Sequence, residues 1–167
     1  MKSLSDALAI IREHQKKLPI QTVDLARDLG LRVFKVPNWP NDLSGMIRKN
    51  DENEGGFDIF VNAAHPYVRR RFTIAHEIAH AVLHPQLIGN GITDDALYRS
   101  GLSNTVEAQA NRLAADILMP RDQLNELIKS GITDIDVLSG KFEVSTQAMA
   151  IRLNVPQHDA ESRREFA

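Results

Sequence analysis

Residues 71–84 read RFTIAHEIAHAVLH, and this stretch decides the fold. Its apolar residues recur at the spacing of an α-helix. They predict a long helix that begins at His65-Pro66 and ends at His84, because Pro85 cannot continue it. Three of the chain's six histidines and one glutamate lie along a second stripe of this helix. A polar stripe on a helix that is otherwise apolar indicates that this side borders a cleft.

The polar stripe contains an H-E-x-x-H motif, formed by His76, Glu77 and His80. The two histidines lie about 40° apart around the helix and roughly 6 Å apart along it, so both imidazoles can bind one metal ion. Glu77 is turned about 100° from His76, which lets it address a water rather than the metal. Two core histidines bonded to backbone groups are the alternative, but burying them with a carboxylate and no metal is costly. The motif therefore predicts a zinc site.

A catalytic zinc needs a third protein ligand and an open position. The longer motif that ends in a third histidine is absent, because Leu83 and Gln86 occupy its remaining places. Glu107 is the best candidate, since it lies in the first turn of the next long helix, although the helix dipole alone would also favour a glutamate there. Its small neighbours Ala108, Ala110, Ala114 and Ala115 should let that helix pack closely on the first. Asn111, one turn further on, is expected to hold a ligand in place by a hydrogen bond. The substitutes for Glu107 are Asp94, Asp95 and Asp116.

Two histidines, one carboxylate and a water describe a hydrolytic zinc site. Glu77 then acts as the general base, and an amide bond is the natural substrate. The anionic intermediate also needs a hydrogen-bond donor besides the metal. Spacing does not choose among the three candidates for this donor, which are Tyr98, His65 and His84, and each is equally well interpreted as a packing or surface residue. His84 lies about 12 Å along the helix from His76, too far to bind the same ion.

Composition narrows the class of protein. The chain has 167 residues, 43% of them hydrophobic, which is enough for one sizeable core. It has no cysteine, so histidine, aspartate or glutamate must hold any metal. No apolar run is long enough for a membrane span and the start does not resemble a secretory signal, so we expect a cytoplasmic protein. A formal net charge of −2 argues against direct binding of nucleic acid.

Periodicity, glycines and prolines predict an α+β fold with a small antiparallel sheet, the H-E-x-x-H helix and a C-terminal helical segment. Besides the central helix, we predict helices over residues 3–13, 22–29, 104–118, 121–129, 134–142 and 145–154, and strands over 31–36, 45–49 and 57–62. Residues 85–102 show little periodicity, so no element is predicted there.

Three blocks of sequence resemble the ImmA/IrrE family of metallopeptidases: the run 71–84, the run EAQANRLAA at 107–115, and ILMP at 117–120. Shorter matches at 18–20, 29–30, 43–45, 142–145 and 152–153 extend the resemblance over most of the chain. The resemblance implies a minimal zincin-like, gluzincin-like metallopeptidase with His76, His80 and Glu107 as zinc ligands and Glu77 as the base. We accordingly expect a metallopeptidase domain over 1–130, a helix-turn-helix-like extension packed on it over 131–156, and a flexible tail over 157–167.

The family resemblance also implies a substrate. Members of this family cleave helix-turn-helix repressors of mobile elements or stress responses, and some are paired with such regulators as toxin–antitoxin modules. We therefore expect a zinc metalloendopeptidase that cleaves such a repressor, and the alternative is a module that binds a regulator without cutting it. A third interpretation takes residues 134–153 as a DNA-binding helix-turn-helix. However, Arg152 is the only basic residue of its second helix, and phosphate contacts supply most non-specific affinity for DNA.

Overall fold

A computed structural model describes residues 2–88, 92–95 and 104–156, and its elements follow the predicted order closely. In chain order they are α1 (Leu4–His14), α2 (Thr22–Asp28), β1 (Arg32–Val36), β2 (Leu43–Lys49), β3 (Phe57–Asn62), α3 (Tyr67–Leu83), β4 (Ile92–Asp95), α4 (Asn104–Leu118), α5 (Arg121–Lys129), α6 (Ile135–Phe142) and α7 (Thr146–Arg152). The α+β class is confirmed. Strand β4 was not predicted, because it lies in the segment without clear periodicity.

The sheet has the strand order β1-β3-β2-β4 and is mixed. Strand β2 pairs antiparallel with β3, as expected, and also with the unpredicted β4, but β1 pairs parallel with β3. The prediction of a purely antiparallel sheet is therefore wrong at β1. The reason is that β3 is buried along almost its whole length and takes a central position between the two strands that precede it.

Helix α3 lies between the sheet and α4. Its residues Ile74 and Ile78 belong to the same hydrophobic core as Ile47 and Ile59 of the sheet. On its other side, α4 packs closely against α3, because Ala110 and Ala114 are small, and both are fully buried. Ala108 was also expected in this contact, but it is exposed. The central helix is thus covered on both sides, and its polar stripe lies inside the protein.

Two buried arginines attach α6 and α7 to the rest of the fold. Arg71 of α3 donates to the carbonyl oxygens of Ile20 at 2.7 Å, Glu143 at 3.0 Å and Phe142 at 3.3 Å. Arg152 of α7 forms an ion pair of 2.7 Å with Asp116.

The division of the chain at residue 130 stays a prediction, and the predicted tail over 157–167 lies outside the described residues. Among the described residues, no helix is long and apolar enough to span a bilayer.

We expect the buried carboxylate of Asp58 to stabilise the β2–β3 turn in a pH-dependent way. Burial alone would raise the pKa of Asp58, but hydrogen bonds from Arg32, Asn50 and Asn53 lower it below its usual value. Asp58→Asn should lower the free energy of unfolding at pH 7 by roughly 1.5–2 kcal/mol. This is the lower part of the range for hydrogen bonds to charged groups, because Arg32 is half exposed.

The pKa of Asp58 is lower in the folded protein than in the unfolded chain, where an aspartate titrates near about 3.9. Its stabilisation is therefore present above that pH and is lost as the pH falls through the folded value. Urea unfolding of the wild type and Asp58→Asn should give free energies that differ at pH 7 and converge below about pH 4. The matched control is Asp51→Asn, which removes an exposed carboxylate of the same turn. A constant difference across this pH range would contradict the assignment.

Candidate metal centre

The two motif histidines and Glu107 converge, as the sequence predicts. His76 and His80 come from α3, Glu107 comes from the first turn of α4, and their ligand atoms all lie within 4.8 Å of one another. The Nε2 atoms of the histidines are 3.0 Å apart, and each is 3.4 Å from a Glu107 carboxylate oxygen. Ligands of a tetrahedral ion with bonds of about 2.0–2.1 Å lie about 3.4 Å from one another. The donor set therefore fits a single metal ion.

A hydrogen bond to α4 sets the tautomer of His76. Its Nδ1 atom lies 2.9 Å from Asn111 Oδ1. An amide oxygen only accepts hydrogen bonds, so His76 carries its proton on Nδ1 and directs the lone pair of Nε2 toward His80 and Glu107. This is the orientation that a metal ligand needs, and it is the role expected for Asn111. His80 lacks such support among the described residues, since its buried Nδ1 atom has no hydrogen-bond partner there.

The protonation states of the cluster also suit metal binding. The imidazoles of His76 and His80 lower the pKa of Glu107 far below its usual range, and partial burial opposes them only in part. Burial lowers the pKa of His80, and Glu107 opposes this effect. An ionised carboxylate and a neutral imidazole are the forms that coordinate a divalent cation, so no proton has to be displaced from these two groups at neutral pH.

Glu77 is fully buried beside strand β2. Its carboxylate lies against Gly45, where an added Cβ atom would stand 3.1 Å from Glu77 Oε1 and only 2.4 Å from Thr73 Cγ2. Only glycine allows the strand to approach α3 so closely. We did not assign Gly45 to the site from the sequence, although a glycine inside a strand is a signal of close backbone approach. The backbone of β2 thus packs directly against the carboxylate of Glu77, the residue that follows His76 in the chain.

Neither of the two described candidates for the donor to the anionic intermediate, His65 and His84, belongs to the metal cluster. His84 Nε2 lies 2.9 Å from Gln109 Oε1 of α4, a partner that spacing alone did not identify. His65 is buried at the start of α3 and its Nε2 atom donates to the carbonyl of Asn41 at 2.9 Å. Tyr98 lies outside the described residues. Both described candidates therefore have structural hydrogen bonds, and the assignment of this donor stays open.

The three alternative third ligands, Asp94, Asp95 and Asp116, lie on β4 and near the end of α4. Asp116 forms the ion pair with Arg152 near the end of α4 and is not a member of the cluster. Asp94 and Asp95 lie in β4, where their backbones pair with Gly45 and Leu43. Their side chains are outside what the structure describes. Among the residues that are described, only Glu107 supplies a carboxylate to the two histidines.

A small sheet that supports an H-E-x-x-H helix, with a carboxylate from the following helix, is the architecture of a metallopeptidase. The model of Peptidase_M78, described as the IrrE N-terminal-like domain, matches residues 26–154. The chain belongs to this family.

Two individual proteins are similar to this chain. The radiation response metalloprotease IrrE of Deinococcus radiodurans is 36% identical over 85 residues, which cover 46% of this chain and 25% of that protein. A solved structure of a Mycobacterium tuberculosis transcriptional regulator superposes with a TM-score of 0.61 at 22% identity, over 88% of this chain and 46% of the other. The second likeness concerns the fold alone. The chain spans less than half of either protein.

Proposed function

We propose that the protein is a zinc-dependent metalloendopeptidase that cleaves a helix-turn-helix repressor of a mobile element or a stress response. The observation that carries the proposal is the convergence of His76, His80 and Glu107 beside the buried Glu77. Zinc is the metal that best suits two imidazoles and one carboxylate, with a fourth position left for water. Peptide hydrolysis is the chemistry of the family to which the chain belongs.

His76, His80 and Glu107 would hold the zinc ion, which would supply a water with a pKa lowered toward about 7 and a polarised carbonyl group. Glu77 takes the proton from the attacking water and delivers it to the nitrogen of the leaving amine. Its burial against Gly45 fixes the carboxylate at one position and limits competing solvent. Asn111 keeps the His76 ring in the orientation that the metal requires.

The choice of a repressor as the substrate is supported by the family resemblance, and the names of the two similar proteins agree with a regulatory role. Such repressors act in the cytoplasm, which is the compartment that we propose for this protein. Helix α7 is poorly suited to bind DNA directly, because its arginine is buried and paired with Asp116. We therefore propose that the protein affects transcription through a protein partner.

We expect the zinc-loaded protein to cut a helix-turn-helix regulator from its own genome, and any such regulator encoded next to its gene is the first candidate to test. Intact-mass analysis of the mixture should give defined fragments whose masses add up to that of the regulator plus one water. The same mixture with Glu77→Gln should give none. A stable complex without fragments from either protein would contradict cleavage and favour the module that binds without cutting. An intact regulator that forms no complex would remove it as the partner.

A further inference from the structure

A groove of about 430 Å³ runs between the N-terminal half of α3 and helix α7. Its walls are mostly apolar, and the residues that the argument uses are Val68, Arg69, Phe72, Val144, Ala148 and Ile151. Ile151 is 60% exposed, which is unusual for a large aliphatic side chain on a helix that packs against the core. None of these residues belongs to the metal cluster.

The groove lies along α3 on the same side of the helix as His76. Arg69 and His76 are seven residues apart, which places them on the same side of the helix, about 20° apart around the axis and roughly 10 Å apart along it. Phe72 lies one turn from His76. A second link passes through the sheet: Arg69 Nη2 donates to Ser44 Oγ at 2.8 Å, and Ser44 precedes Gly45, which lies against Glu77. A polypeptide in the cleft would therefore reach Arg69 within a few residues of the metal.

Arg69 is the cation of this groove, and it has no carboxylate partner in the part of the chain whose side chains are described. It is exposed, and among those residues its side chain makes one hydrogen bond, to the neutral hydroxyl of Ser44. No carboxylate among residues 2–88 and 104–156 lies within ion-pair distance of it. Arg71 and Arg152, by contrast, are paired with Glu143 and Asp116. A guanidinium has five donors, so Arg69 is fixed in place and can still bind a carboxylate by two parallel hydrogen bonds.

We propose that this groove is a substrate-binding subsite that selects a polypeptide segment in which an aspartate or glutamate lies next to a large apolar residue. The carboxylate binds Arg69, and the apolar side chain packs between Phe72 and Ile151. This inference rests on the proposed peptidase function and specifies its substrate class. A protein substrate fits better than nucleic acid, because a single arginine in an apolar groove matches one carboxylate and not a row of phosphates.

The test uses short internally quenched peptides in which each position in turn is fixed as Glu, Gln or Lys beside a leucine. Zinc-loaded wild type should cleave the Glu peptides about tenfold better than the Gln peptides at one position, the scale of one charge-assisted hydrogen bond. The difference should lie in KM and not in kcat. Arg69→Gln should remove the preference, and Arg69→Glu should transfer it to the Lys peptides. Arg121→Gln, which changes an exposed arginine at the start of α5, is the matched control.

The reversal by Arg69→Glu separates a binding role from a structural one, because a misfolded variant would lose activity on all peptides alike. Cleavage by the wild type with equal KM for Glu and Gln at every position would overturn the subsite and leave the peptidase intact. If the wild type cuts no peptide, fluorescence anisotropy with zinc-loaded Glu77→Gln decides the matter. Tighter binding of Glu peptides that disappears in Glu77→Gln/Arg69→Gln would support the groove without the peptidase, and equal binding would overturn it.

Discussion

Replacing Glu77 by glutamine is expected to abolish peptide cleavage while the metal stays bound. Glutamine has nearly the same shape as glutamate, but it cannot take a proton from water. The expected loss in kcat is 10²- to 10⁴-fold, the usual contribution of a positioned general base. Glu77 is not a member of the ligand cluster, so the metal content of the variant should equal that of the wild type.

The measurement is the cleavage rate of a peptide mixture by wild type and Glu77→Gln at equal, independently determined zinc content. Glu13→Gln changes an exposed glutamate on α1 and serves as the control for the preparation. Thermal unfolding of both variants shows whether the amide at position 77 disturbs the contact with Gly45. An unchanged cleavage rate in a folded, zinc-loaded Glu77→Gln would remove Glu77 from the role of base.

The second large effect is expected at Glu107. Glu107→Ala removes one of three ligands and leaves His76 and His80 with a site open to solvent, so the affinity for zinc should fall at least about 100-fold. Removal of a residue that only supports a ligand can lower metal affinity by up to about 100-fold, and removal of a direct ligand should cost at least as much. Cleavage should fall in proportion to zinc occupancy, because an ion held by two imidazoles alone dissociates readily. Elemental analysis after dialysis measures the occupancy directly.

Asp116→Ala is the matched control for Glu107→Ala. Both residues are acidic, both lie on α4, and Asp116 is bonded to Arg152 instead of the histidines. Its removal should leave zinc content unchanged and lower only the stability of the contact between α4 and α7. Full zinc occupancy in Glu107→Ala would show that another residue, such as Asp94 or Asp95 of β4, is the third ligand.

The three motif residues of the site could be predicted from the sequence because they lie close together on one helix. The spacing of His76, Glu77 and His80 on one helix fixes their relative directions before any tertiary contact forms. The prediction of Glu107 was weaker, because the sequence around it does not show which face of α4 packs against α3. The small residues of α4 indicated close packing, and they are buried at Ala110 and Ala114 but not at Ala108.

The features that could not be predicted depend on contacts between distant parts of the chain. Alternation of apolar residues indicates a strand but not its neighbours, so the parallel pairing of β1 with β3 was missed. Strand β4 lacks a clear pattern and exists as a partner of β2. The role of Gly45 beside Glu77 and the bond between His84 and Gln109 follow from the same tertiary packing. A glycine inside a strand signals a close approach, but the sequence does not say which side chain comes close to it, and spacing does not identify Gln109 as the partner of His84.

The most direct test of the metal-dependent peptidase is a zinc titration of the metal-free protein. The protein is stripped with a chelator, zinc is added in steps, and the cleavage rate of a peptide mixture is followed together with bound zinc. We predict no cleavage without metal, a linear rise as His76, His80 and Glu107 fill with one ion per chain, and a plateau once that site is full. Cleavage that persists in the metal-free protein, or its absence in protein that holds one zinc ion at this site, would contradict the account.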